Sequence, residues 1–109
     1  MNISNNDFET ISFCSNLVIN KGVFDDNPLA ILVLERTVKE IADKKSKISK
    51  NSMATVYASL QITKDLIANK FEDVQLDFAE HREALNHADS IDSLASRLEK
   101  QFGFTSDIE

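Results

Sequence analysis

Turn-forming residues are nearly missing from this chain. Two glycines and one proline in 109 residues are too few to punctuate a multi-stranded sheet, which wants a turn signal about every 8–12 residues. They also leave no material for a glycine-rich phosphate loop. Tryptophan is absent and cysteine occurs once, so no internal disulfide can form, which fits a reducing compartment. The neighbours of Cys14 (Phe13, Ser15 and Leu17) include no His or Lys to lower its pKa, and a small buried hydrophobe is expected there. No apolar run approaches the ~20 residues that span a bilayer. The opening MNISNNDFET lacks the basic start and apolar core of a signal peptide. A cytoplasmic protein with no membrane contact is expected.

What is present suits a single helical domain over residues 1–109, with 1–6 and 105–109 loose at its ends. Hydrophobic residues make up 42% and charged residues 28%, ordinary values for a soluble globular protein. The net charge of −6 is lopsided. Residues 1–54 hold seven bases and seven acids, whereas 55–109 hold five bases and eleven acids. Lys39, Lys44, Lys45, Lys47 and Lys50 gather around one expected connection between helices. Such lysines neutralise helix ends and keep a loop solvated; the pointed alternative is phosphate contact through Lys44, Lys45, Lys47 and Lys50.

The chain is organised around Met53–Phe71. At about 100° per residue, Met53, Val56, Tyr57, Leu60, Ile67 and Phe71 share one side of a helix and Ile62 and Leu66 fall roughly opposite. A helix apolar on two sides wants cover on both. The fold expected is all-α, a small four- to five-helix bundle paired as a homodimer through this helix, with Tyr57, Leu60, Ile62 and Leu66 at the interface. Aspartate at Ile62 or Leu66 should then weaken dimerisation. Lys64 interrupts the stripe; a helix end soon after it, which frees its stem to reach water, is the plain explanation, and a ligand-facing lysine the pointed one.

Around this centre, a first helix is expected over about Asp7–Asn20, capped by Asn5, Asn6 or Asp7 and stopped by Lys21 and Gly22. Its apolar side is Phe8, Ile11, Cys14, Leu17 and Val18. Asn27-Pro28 opens a second helix, 28–43. The run Leu29–Leu34 is apolar all round, so its first two turns should be covered on most sides, with Ile48 tucked inward after it and Ser49 or Asn51 capping the central helix. A fourth helix, roughly Phe71–Asn86, should bury Phe71, Val74, Phe78 and Leu85. Asp73, Asp77 and Glu80 would then line its far side, a solvated face or a docking stripe for a basic partner, with Leu76 beside it. A last helix runs from Asp89 or Ser90 to Phe102 on Ile91, Leu94, Ala95, Leu98 and Phe102, and Gly103 stops it.

Recognisable chemistry is sparse. His81 and His87 stand six apart, about 120° around a helix, and so do not make a two-histidine metal site by themselves. Arg82-x4-His87 fits the loose pattern of helical endoribonucleases of the HEPN class, although five residues on a regular helix separate the two groups by about 140° and Glu83 stands where that class prefers a polar residue such as Asn. No nucleophile–base pair or zinc cysteine set is evident. Neither a catalytic residue nor a cofactor or metal is expected.

From Gly22 to about Glu80 the spacing is similar to that of the small enterobacterial YmgB/AriR-type proteins, regulators of biofilm formation and acid resistance also described as two-component-system connectors. The resemblance is carried by Leu34-x3-Val38-x2-Ile41, Ile48-Ser49-Lys50-Asn51-Ser52 and Leu60-x2-Thr63-x-Asp65, followed by Ile67 and Phe71. The chain departs from that family at Glu35, where a Gly is usual, in its glycine-free connection Lys44–Lys47, and in its final helix Ile91–Phe102, which extends past the family's length. The resemblance implies a helical homodimer that binds a signalling or regulatory protein, without enzymatic activity, in a bacterial stress or biofilm pathway. The alternatives are a nucleic-acid-associated regulator using the lysine cluster, a small phage-type inhibitor of a host complex, and a HEPN-like ribonuclease using Arg82 and His87.

Overall fold

The computed structural model describes residues 3–44 and 47–105. They form five helices: α1 (Asn5–Asn20), α2 (Pro28–Ala42), α3 (Lys50–Ile67), α4 (Phe78–Asn86) and α5 (Ala88–Phe102). No strand occurs among the described residues, and the architecture is the expected small all-α bundle.

Each helix starts and stops for a local reason. Ser4 caps α1, its Oγ accepting from the Asp7 N–H at 3.0 Å while Asp7 accepts from the Ser4 N–H at 3.0 Å. This reciprocal box satisfies two backbone donors that a helix start leaves unpaired. It places the cap earlier than expected and draws Asn5 and Asn6 into the helix. At the other end, the Gly22 N–H reaches Ile19 O (3.1 Å) and the Val23 N–H reaches Val18 O (3.2 Å), with Gly22 at φ 74°. That pattern is a Schellman stop, which needs a left-handed residue. A β-carbon at Gly22 would lie 2.8 Å from Oδ2 of Asp25, whose carboxylate folds back over it.

Asn27 caps α2 through Ala30 N–H (3.2 Å) with Pro28 in the first turn, and Ser49 caps α3 through Ser52 N–H (3.1 Å), both as expected. Helix α3 closes with a second Schellman pattern: Asn69 at φ 56° donates to Leu66 O at 3.2 Å, and Lys70 donates to Asp65 O at 3.0 Å. Asparagine tolerates that conformation better than most residues. Lys64 therefore lies in the last turn of the helix, reaches outward and pairs with Asp92 of α5 at 3.1 Å.

Helix α3 is the axis of the molecule: it packs against all four other helices. Val56, Leu60 and Leu66 are fully buried together with Ile11, Cys14 and Val18 of α1, Leu34 of α2, and Ile91, Leu94 and Leu98 of α5. The two apolar flanks of α3 are thus shielded within one chain. Tyr57, Leu60 and Leu66 are buried there and Ile62 half-buried against the same core. Within one chain, α5 packs on α3 and Phe71 packs against the same core, where cover from a second subunit was expected.

Two further expectations are corrected. The fourth helix does not begin at Phe71. Residues 68–77 form an irregular loop whose Phe71, Val74 and Leu76 pack against the core, and the helix starts only where Asp77 caps it. In the second helix, the early turns are covered on one side alone, leaving Leu29 and Leu32 bare at 69% and 63% exposure. Helix α2 touches α1 and α3 and neither of the other two.

Candidate functional site

The most strongly organised charged group joins the ends of the chain. Asp7 is buried and both its oxygens accept from the Arg97 guanidinium of α5, in the two-pronged geometry that makes such pairs strong. Burial alone would raise the Asp7 pKa, but the Arg97 and Ser4 hydrogen bonds and the positive charge of Arg97 outweigh it and hold the carboxyl below its ordinary 3.8. Beside it, Asn6 Nδ2 donates to Ser90 Oγ at 3.2 Å. Every Asp7 contact is internal and structural. Sequence spacing offers no sign of this pair, whose members stand 90 positions apart.

Three buried hydroxyls of α1 and α3 are turned back to their own helices. Thr10 donates to Asn6 O (3.1 Å), Thr63 to Ser59 O (2.8 Å) and Ser59 to Val56 O (2.7 Å). A hydroxyl spent on the carbonyl one turn back has little left to offer a ligand. Cys14 lies where α1 meets α3, fully buried, and desolvation pushes its pKa up to about 12 despite a hydrogen bond with Thr63. It is a neutral thiol at any ordinary pH. Among the described residues no group of three His, Cys, Asp or Glu side chains is placed to hold a metal ion.

The residues singled out from sequence are dispersed. Asp77 and Glu80 do not form a stripe with Asp73. Asp77 Oδ1 accepts the Glu80 N–H at 2.8 Å, Glu80 Oε1 accepts the Asp77 N–H at 2.9 Å, and Glu80 also pairs with Lys21 at 2.5 Å. Both carboxylates thus fasten α4 to its own start and to the end of α1, while Asp73 is exposed in the preceding loop and Leu76 turns inward. The signal was legible: Asp-x-x-Glu is a capping box. Lys44, Lys47 and Lys50 are exposed, with Lys50 Nζ 6.0 Å from the centre of the Phe104 ring; Lys45 lies outside the described residues. Arg82 is exposed on α4. His87, the hinge residue between α4 and α5, stacks on Phe13 with ring centroids 4.5 Å apart. His81 donates from Nε2 to Ile67 O at 3.1 Å, which fixes α4 across the last turn of α3.

What the structure leaves open is apolar. Phe78 and Leu85, expected in the core, project from α4 at 82% and 51% exposure. Seven residues apart, they sit one above the other, about 10 Å along the axis, with Arg82 between them on the same stripe. Away from this stripe Ala84 is buried and Glu80 half-buried, while the half-buried His81 stands at the stripe's edge. The periodicity Phe71, Val74, Phe78 predicts one helix in one phase. The loop before Asp77 resets that phase and turns Phe78 outward. With Leu29 and Leu32 of α2, these are the large apolar side chains exposed among the described residues.

No family model matches this chain, and neither curated proteins nor solved structures give a match. Among the described residues no helix is long and apolar enough to cross a membrane.

Proposed function

We propose that this chain is a non-enzymatic regulatory adaptor, a connector in a bacterial stress or biofilm signalling pathway, that works through protein–protein contact on α4. The observation that carries the reading is the outward stripe Phe78–Arg82–Leu85. An exposed aromatic beside an arginine is residue chemistry enriched at interfaces, and Leu85 extends its apolar area. It is mounted on a short helix held at its start by the Asp77–Glu80 box and the Lys21 pair, and across its body by His81 on Ile67 O. A helix so fixed presents its side chains with little ordering left to lose on binding. The pathway itself is suggested by the YmgB/AriR-like spacing.

The test is a photo-crosslinking amino acid at position 78, irradiated in native lysate, with the captured proteins identified by mass spectrometry. A response regulator, sensor or comparable signalling protein is expected, and its capture should disappear when Arg82→Glu and Leu85→Ser are added. Failure to crosslink, or capture of a metabolic enzyme alone, overturns the reading; capture of a large host complex instead would point to a phage-type inhibitor.

A further inference from the structure

We propose that the uncovered flank of α2 is a self-association surface on which a second copy of this chain lies antiparallel. This goes beyond the adaptor reading, which concerns α4, and α2 and α4 do not touch.

The sequence of α2 and its surroundings are mismatched. Leu29–Leu34 is apolar on every side, yet among the described helices only α1 and α3 pack on α2. Leu34, Thr37 and Ile41 face those neighbours and are buried. On the other flank Leu29, Leu32, Glu35, Arg36 and Lys39 are all exposed; they span an arc of roughly 120°. A pair of bare leucines followed by a charged stretch says that this flank is meant for something partly apolar.

The order of charges says what. Exposed Asp25 and Asp26 precede the leucines, and Arg36 and Lys39 follow them. Asp25 is folded over Gly22, and Asp26 is exposed. A two-fold axis just past Leu32 brings the two Leu32 side chains together and lays Leu29 of each copy on the aliphatic stem of the other's Arg36. It also sets Asp26, in the turn before the helix, toward Lys39 of the other copy, since the two stand at equal sequence separations on either side of that axis. A parallel pairing would instead oppose Asp with Asp and Lys with Lys. The flank is therefore complementary to itself in one orientation only, the condition for an isologous contact. One face of a helix about 22 Å long supplies less than the roughly 800 Å² per partner of a standard interface, so the dimer dissociates on dilution.

Sedimentation velocity over a concentration series reaching millimolar tests this, with circular dichroism to check that each variant is folded. The wild-type mass should climb toward that of two chains. Leu29→Ser with Leu32→Ser should hold it at one chain; both positions are exposed, so the fold should persist. Asp26→Lys or Lys39→Asp alone should weaken association roughly tenfold, because each reversal acts twice across the axis, and the two together should restore it. A wild type that stays monomeric overturns the proposal, as does association indifferent to the leucine variants. Lack of rescue by the charge swap overturns the antiparallel register, and loss of association on Ile62→Asp with Leu29→Ser/Leu32→Ser intact would move the interface to α3.

Discussion

Asp7 has two duties, as the third residue of a capping box and as the buried partner of Arg97. The first was partly legible, because Ser-x-x-Asp ahead of an apolar stripe is a helix-start pattern even though Asn5, Asn6 and Asp7 compete for the cap. The second had no local trace. Replacing Arg97 by Met strands a buried carboxylate and should cost about 1–3 kcal/mol, below the figure for a fully buried pair because the arginine is half open to water. The pH sign follows from the lowered folded-state pKa. The Asp7 contribution is complete above the ordinary carboxylate value of 3.8 and disappears as pH falls through the lower value of the folded chain. Urea titrations of wild type and Arg97→Met at neutral and strongly acid pH should therefore converge as the carboxyl protonates. A gap that persists at acid pH would mean that Arg97 stabilises the fold by packing alone.

At the scale of the element, capping decided where helices begin and periodicity decided which sides are buried, and the two disagreed once. Phe71, Val74, Phe78 and Leu85 keep helical spacing across a stretch that is helical only from Phe78. Spacing cannot see a loop that happens to preserve it. The box Asp77-x-x-Glu80 was the countersign, and it won because the backbone donors at a helix start must be met somewhere. Asp77→Ala should cost about 1 kcal/mol and speed amide exchange at residues 78–81 while leaving α3 and α5 protected. Uniform loss of protection across all helices would instead make α4 an inseparable part of the core. The first turns of α2 teach the complementary point. Composition told that Leu29–Leu34 could be covered all round, but which flank finds a neighbour is settled by α1 and α3 alone.

For the molecule as a whole, the central place of α3 was readable from its two apolar flanks, and what covers them was not. Five helices suffice: Leu66, assigned from sequence to a subunit interface, is buried against its own chain, whereas Ile62 keeps partial access to water. Leu66→Asp should therefore unfold the monomer, because a buried unpaired carboxylate costs several kcal/mol of a total stability of about 5–15 kcal/mol. Ile62→Asp should lower the melting temperature yet leave a folded protein. Thermal melts followed by circular dichroism separate the two, and equal, small effects would show that α3 is less enclosed than its packing indicates.

The single thiol at the α1–α3 seam has a practical corollary. Cys14 is unreactive while the helices are docked and becomes an ordinary cysteine once they part. A thiol reagent therefore marks each molecule at the moment it opens, and the bulky adduct keeps it from closing again. The chain carries its own stopwatch for unfolding, started by chemistry rather than by an attached probe.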